Sequence, residues 1–587
     1  MTRPDAPADR RDRVRNLVGI AILVGAFLWA VVHVACLTFR TTGKTPMGEG
    51  KRVIRFVHWQ IEGGIVDALD EACRMYEAIH PDVDVQQIAV PERAYYQWVR
   101  TQLVGHTAPD LIEYYPGEDN LFVRYFVPVT QTADKPNPYH EKAWIARIEQ
   151  VLQDRQGETP HPKPLDLEGV PWRETFVDGM LGGYSAVLQD QYGMPLSIFT
   201  IRCYANKHLL EKAAGTTQPP EHLDTFFKIC EDIQAYARQN NLKLVPIAGS
   251  KYTDNVFRGR YIDMAKWGLL DVLDLNGDSW VDNSELLDAV FSGRVDFTTD
   301  PHVRAGHEMM FRISRYFNPG FMAAERDQSV FLFAQGNAAM IATGTWDAGS
   351  LYQQVAGDFD ILVFDFPIAR PDNPQFGPFF QHRLSEAGTR TGFPFNLSKF
   401  SQHPDLAVDF MHFLTCRPVN EWLNKRFRWF PATRGAETDD LLRAFEPKMQ
   451  GVWNIFNMWI GTQTQLRYDQ LYAGFISDTS PTPVHYQRFI DEYAAQFKKE
   501  AFKDFERAWQ DAYAAIVQTE QGLTQIRARA MRQGLTPGLE RSLMEQAFGQ
   551  IRRLEGRAVE SWRYERVKEA YGAAARPDPA GAKGDGP

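Results

Sequence analysis

Cysteine zinc-site spacing, a disulfide framework and the common catalytic signatures are all missing from this chain. Its five cysteines (Cys36, Cys73, Cys203, Cys230 and Cys416) are scattered without a CxxC pair. That excludes a cysteine zinc site or a disulfide scaffold legible from spacing. In an oxidising compartment one bridge, such as Cys203 to Cys230, stays open to it. No GxSxG, HExxH or GxxxxGKS run occurs, so hydrolase-elbow, zincin and P-loop readings have no support. There is no Lys/Arg-rich run either, and the net charge is −10, so nothing favours a nucleic-acid partner. Acid pairs such as Glu113 with Asp119 resemble a glycosidase dyad, but among 74 acids such pairs arise by chance.

Long hydrophobic runs are equally scarce, with one exception. "LVGIAILVGAFLWAVVHVACLTF", residues 17–39, holds no acid, Lys or Arg. A helix of that length crosses a hydrocarbon core of about 30 Å. Arg10, Arg11, Arg13 and Arg15 precede it, as in a signal sequence or a signal anchor. A cleaved signal has a shorter apolar region and a small-x-small site, so an uncleaved anchor is expected. A lipoprotein reading would put lipid on Cys36, but His33 stands in "HVAC" where an aliphatic residue belongs. The expected topology is a cytoplasmic stub at 1–16, an anchor at 17–39, and everything after about residue 45 outside the cytoplasmic membrane.

What remains is globular: 587 residues, 44% hydrophobic and 24% charged, enough for two or three domains or one large two-lobed unit. "RVIRFVHWQ" reads as a strand. In "GGIVDALDEACRMYEAIHP" the residues Ile65, Leu69, Ala72, Tyr76 and Ile79 share one helical face, opened by Gly63–Gly64 and closed by Pro81. Strand "DVDVQQIAV", helix "ERAYYQWVRTQLVGH" and strand "DLIEYY" follow, the pattern of parallel βαβ units. Residues 180–350 repeat the α/β style, including "KLVPIAG" and "NAAMIATGTW". From about residue 440 the chain reads as helical, and the last fifteen residues as disordered.

In series, five stretches carry a resemblance: "VIRFVHWQ…APDLIEYY", "YGMPLSIFTIRCYANKHLLEKA", "FLFAQGNAAMIATGTWDAGSL", "GFPFNLSKFSQHPDLAVDFMHFLT" and "WFPATRGAE". Together, over roughly 52–440, they resemble extracellular solute-binding proteins of the sugar-importing ABC systems, the family of maltose-binding type. The resemblance implies a two-lobed α/β fold of the type II periplasmic-binding-protein kind. Lobe 1 would begin at 52–198, lobe 2 (including an EF-hand-like loop, 274–285) would occupy 199–338, and 339–395 would return to lobe 1. Lobe 2 and hinge-side helices would fill 396–480, a helical extension 481–572, and a disordered tail 573–587. The anchor, the loop and the long C-terminal helices depart from the common pattern.

Such a fold binds ligand at the carboxyl ends of its strands, near helix N-termini. Sugars offer C–H faces to aromatic rings and hydroxyls to carboxylates, amides and arginines. Trp59, Gln60 and Glu62 after the first strand, Tyr114 and Tyr115 after the third, and Trp346 and Asp347 after "NAAMIATG" suit that chemistry. The resemblance points to an aromatic from the last segment against ligand, which favours Trp346. Tyr204 stands where relatives carry paired tyrosines before Asn-Lys, but here Ala205 replaces the second. Tyr252, Arg258 and Arg383 are further polar or stacking candidates, ordinary surface loop residues being the plainer alternative.

"DLNGDSWVDNSE" has oxygen ligands where an EF-hand has them: Asp274, Asn276, Asp278, Asp282 and Glu285, with the Trp280 carbonyl at position 7. Ser279 occupies position 6, where glycine normally makes the turn. A structural Ca2+ staple is the expectation, against an acidic surface turn as the alternative.

The sequence therefore predicts a membrane-tethered extracytoplasmic binding protein. It would capture a carbohydrate in an interlobe cleft and deliver it to ABC permease subunits, without catalysis. The alternative is an extracytoplasmic sensory or scaffold protein that kept the fold, and a polysaccharide-active enzyme is a more distant rival.

Overall fold

The computed structural model describes residues 51–574, apart from 62–63, 116–118, 157–164, 186–187, 189, 278, 280, 388–390, 439, 453 and 479–483. The stub, the 17–39 anchor and the tail beyond residue 574 lie outside the described residues. Among those that are described, no helix is long and apolar enough to cross a membrane. The chain forms two units, one of residues up to Glu113 plus Leu397–Phe413, the other of Tyr114–Asn396 plus everything from Leu414.

In the first unit the order is β1 (Arg52–His58), α1 (Ile65–Ile79), β2 (Val83–Ala89), α2 (Glu92–Val104) and β3 (Leu111–Glu113). β1 is central. It runs parallel to β2, from Arg52 opposite Val83 to His58 opposite Ala89, and parallel to β3, with Val57 opposite Ile112. The predicted face of α1 is the buried one: Ile65, Leu69, Ala72, Tyr76 and Ile79 are all in the core. Gly64 opens the helix at φ 79°, a conformation that favours glycine. The helix Pro404–Leu414 packs on α1, where the Tyr76 hydroxyl donates to Asp409 (2.7 Å) and its ring meets Phe410 edge-on at 5.0 Å.

The second unit contains β4 (Met194–Ile198), β5 (Ile201–Asn206), β6 (Val245–Ile247), β7 (Ala338–Gly344), β8 (Ile361–Phe364), all but the last two residues of β9 (Thr391–Ser398), and β10 (Phe430–Pro431). β4 lies antiparallel between β9 and β10. A separate four-stranded sheet has the order β8-β5-β7-β6, with β7 parallel to β6 and antiparallel to β5. Helices α3 (Leu223–Gln239), α4 (Lys251–Lys266), α5 (Asn283–Phe291) and α6 (Pro301–Ser314) belong to the core built around that sheet. This corrects the expected course of 339–395, because β7 and β8 both stay in the four-stranded sheet and only β9 leaves it.

After α7 (Thr345–Gln354) come α8 (Thr462–Ser477), α9 (Val484–Gln533) and α10 (Pro537–Ala574). The last helix thus continues to Ala574, past the expected start of a disordered tail at 573. These helices are built into the unit. Tyr468, Tyr472, Tyr486, Phe489, Tyr493 and Phe497 are buried with Phe297 and His307 of the sheet-bearing part. Rings of this size dominate core energetics, and each contributes about 1.5–3 kcal/mol of burial. Cys203 and Cys230 are both free and buried, so the bridge left open by the sequence is not formed.

Candidate functional site

Two groups of side chains stand at the carboxyl ends of parallel strands, one in each unit. In the first unit, Trp59 and Gln60 follow β1 and Glu113 ends the parallel β3. The Trp59 backbone N–H donates to one Glu113 carboxyl oxygen (3.1 Å), and the Gln60 amide donates to the other (2.8 Å). Trp59 is half-buried and packs on Tyr95 at 4.9 Å and Tyr96 at 5.6 Å. The Tyr95 hydroxyl reaches the Val57 and Glu113 carbonyls, which fixes the two strand ends to one another. Glu113 is wholly buried, and that burial pushes its carboxyl up to about 8 despite both donors. Glu62 lies outside the described residues.

In the second unit, β6 and β7 run parallel, so the helices that follow them start on the same sheet edge. Tyr252 is in the first turn of α4 and Trp346 in the first turn of α7, and their rings meet edge-on at 6.4 Å. Phe199, in the β4–β5 crossing, packs edge-on against Trp346 (5.5 Å) and against Trp429 (4.8 Å). Trp346 is half-buried, and among the described residues its buried indole N–H meets no acceptor. Asp347 accepts from the Thr343 hydroxyl and lies 3.8 Å from Arg326. The β4–β5 and β7–α7 crossings are pinned together: the Thr345 N–H donates to the Thr200 carbonyl (2.9 Å), and the Thr200 N–H to the Thr345 hydroxyl (3.1 Å). This arrangement offers an aromatic wall, a carboxylate and a guanidinium, the chemistry that holds a polyhydroxylated ligand.

Other expected residues sit elsewhere. Tyr204 is in the core with its hydroxyl on the Gly344 carbonyl (2.8 Å), so it presents no surface to a ligand. Tyr114 is likewise buried, packed on Phe122 and Phe126. Tyr115, its neighbour, is half-buried. Arg383 pairs with Asp365, to which Lys448 also binds (2.7 Å). Arg258 turns towards α8, over the Tyr472 ring at 4.9 Å and beside Asp469 at 3.2 Å. Glu113, Phe199, Arg326 and Trp429 were not singled out as binding residues. Glu113 had one visible signal, an acid inside the otherwise apolar and aromatic "LIEYY".

Residues 73–445 match the bacterial extracellular solute-binding proteins as a family. The chain belongs to that family. An extracytoplasmic location follows from it. Solved structures of the same fold include the apo form of RafE from Streptococcus pneumoniae, 14% identical, with 78% of this chain and 100% of that one covered at a TM-score of 0.53. RafE in complex with raffinose is 16% identical (77% and 100% covered, TM-score 0.49). Maltose-bound MalE3 of T. maritima is 15% identical (76% and 99% covered, TM-score 0.49). The likeness to apo RafE shows the mixed α/β fold. No curated protein matches the sequence.

The EF-hand-like loop of this solute-binding protein is partly described, since Asp278 and Trp280 lie outside the described residues. Ser279 adopts the left-handed backbone (φ 64°) that position 6 needs, a conformation that costs a non-glycine residue about 1 kcal/mol. Asp274 accepts from the Gly277 and Ser279 N–H groups (2.7 and 2.8 Å). Glu285 accepts from the Leu275 and Asp282 N–H groups, both at 3.0 Å. Asp282 caps α5 and pairs with Arg563 of α10, while Asn276 is exposed. Among the described residues no group of three or more His, Cys, Asp or Glu side chains is placed to hold a metal ion.

Proposed function

We propose that the chain is a membrane-tethered solute-binding protein that captures a carbohydrate and delivers it to an ABC permease. The observation that carries this reading is the aromatic wall of Phe199, Trp346 and Tyr252 beside Asp347 and Arg326. A sugar ring laid on Trp346 would place its C–H face on the indole, with Asp347 and Arg326 beside it for the hydroxyls. Trp59, held by Glu113 and backed by Tyr95, offers a second stacking surface in the first unit. The aromatic surfaces of both units, set beside carboxylate and guanidinium groups, support a sugar over a peptide or a metal. The role is binding, and none of these residues is assigned a catalytic step. Residues 17–39 supply the tether, which raises the effective concentration of the binding protein at the permease.

Calcium belongs to the same proposal as a structural staple in the 274–285 loop, supported by Ser279 already holding the turn. Addition of Ca2+ to chelator-treated protein is expected to raise its melting temperature, and no change would remove the staple.

The test of the main reading is a thermal-shift screen of the full chain in detergent against mono- and oligosaccharides, repeated with Trp346→Ala. Ligand at a hundred times its dissociation constant stabilises by about 2.7 kcal/mol. A sugar-specific shift that Trp346→Ala abolishes is the expected result. No shift with any sugar, in folded and ligand-free protein, would turn the reading towards a sensory or scaffold role.

A further inference from the structure

The hairpin of α9 and α10 reaches well beyond the packed part of its unit. Trp509 stacks on Tyr564 at 4.5 Å, and from there α9 continues to Gln533, about 36 Å of helix. Among the described residues from 506 to 563, Leu523 alone is a buried hydrophobic. The turn between the helices holds Gly534 at φ 78°. Around it stand Met531 and Leu535, 87% and 56% exposed. Large apolar side chains that exposed gain nothing within the unit.

The charge of this arm differs from that of the chain. Residues 515–558 hold seven arginines against four glutamates and no other charged residue, a surplus of three positive charges in a protein of net −10. Arg527, Arg529 and Arg532 are exposed beside Met531. We propose that this tip is a contact surface for an anionic lipid bilayer. Guanidinium groups pair with lipid phosphates in two-pronged fashion, and isolated apolar side chains among them enter the headgroup boundary. The arginine surplus and the exposed Met531 and Leu535 at the very turn of the hairpin favour an anionic bilayer over a protein partner. The surface is independent of which solute the protein binds.

The test uses the full chain carrying Cys36→Ser and Met531→Cys, labelled with a fluorophore at position 531 and placed in vesicles containing lipids with a shallow nitroxide quencher. Strong quenching is expected in phosphatidylglycerol-rich vesicles, weak quenching in purely phosphatidylcholine vesicles, and a marked loss of quenching at high salt. Adding Arg527→Glu, Arg529→Glu and Arg532→Glu, all at exposed positions, should lower the quenching to the phosphatidylcholine level. Because the label reads the tip, insertion of residues 17–39 does not imitate the effect. No quenching in anionic vesicles, or quenching indifferent to lipid charge and to the arginines, would overturn the proposal. Protection of the label by an added acidic protein but not by lipid would also overturn it, in favour of a protein partner.

Discussion

Arg202 and Glu386 form a two-pronged ion pair, 2.8 and 3.0 Å, with side chains only 1% and 3% exposed. Arg260 adds a third contact to the same carboxylate at 3.0 Å, and the Lys448 N–H a fourth at 2.9 Å. Arg202 spends its other donors on the carbonyls of Ile201, Ala444 and Glu446, so one charged cluster ties β5 to the chain around residue 445. Burial alone would raise the Glu386 carboxyl, but the hydrogen bonds and charge of Arg202, aided by Arg260, hold it below its ordinary value.

Removing one partner of such a cluster leaves buried charge uncompensated. Glu386→Gln is therefore expected to destabilise the protein by about 3–5 kcal/mol, read by urea unfolding at neutral pH. The sign with pH follows from the lowered carboxyl. Its contribution is complete above the ordinary value of 4.5 and is lost as pH falls below that. A variant as stable as the parent would show that the cluster is not a support of the fold.

His307 predicts a second acid-side loss. It is wholly buried between the Val303 carbonyl (2.7 Å) and the Tyr468 hydroxyl (2.9 Å), and burial lowers it to about 4 from 6.5. The unfolded chain then binds the proton more readily, so stability is complete above pH 6.5 and falls as pH drops towards 4. The contribution is on the order of 3 kcal/mol. His307→Gln is expected to flatten that part of the pH profile, and an unchanged slope between pH 6.5 and 4 would contradict the assignment.

Glu113 has the opposite sign. Burial raises its carboxyl to about 8 from 4.5, so its contribution is complete below pH 4.5 and is lost as pH rises through 8. Glu113→Gln keeps an acceptor for one N–H without the titration. It is expected to gain stability relative to the parent as pH rises from 7 to 9, and any sugar affinity that depends on Trp59 should lose its alkaline decline. A parallel decline in parent and variant would place the alkaline limb elsewhere.

The first βαβαβ run is legible because its signals are local: short β-rich runs, one apolar face on α1, and Gly64 before it. Tyr204 is a candidate only by its place before Asn206 and Lys207, and its burial is not legible because β5 is buried on both faces and such a strand shows no alternation. Trp346 is legible from its strand-end position and Tyr252 only as a polar or stacking candidate, and their contact depends on β6 pairing with β7 across some ninety residues, which no local pattern encodes. Arg258 looked like a loop residue and proved to be in α4 facing α8, a partner two hundred residues away. The C-terminal helices were legible as helices but not as core, because their long charged faces conceal the aromatic stripe from Tyr468 to Phe497.

That stripe yields a deletion prediction. Ending the chain before Val484 would uncover Tyr468, Tyr472, Phe297 and His307 together, and the product is expected to be insoluble or molten. Replacing only 515–558 with a short Gly/Ser link removes the arm and leaves the stripe, so the melting temperature should stay close to that of the parent. Equal damage from both changes would mean that the arm supports the fold.

Gly344 and Trp346 carry the last prediction. A Cβ at Gly344 would lie 2.3 Å from the Trp346 ring, far inside van der Waals contact, so the indole rests directly on the glycine backbone. Gly344 is at the end of β7, its carbonyl already taken by the Tyr204 hydroxyl, and the strand has no room to withdraw. Gly344→Ala must therefore move the ring, at a cost of about 1–3 kcal/mol in overpacking. If Trp346 is a stacking platform, the variant loses sugar affinity well beyond what its drop in stability explains, and Trp346→Ala placed on top of it adds little further loss. Titration of the three variants by intrinsic fluorescence or calorimetry measures this. Independent, additive losses would mean that the ring is not where the ligand rests.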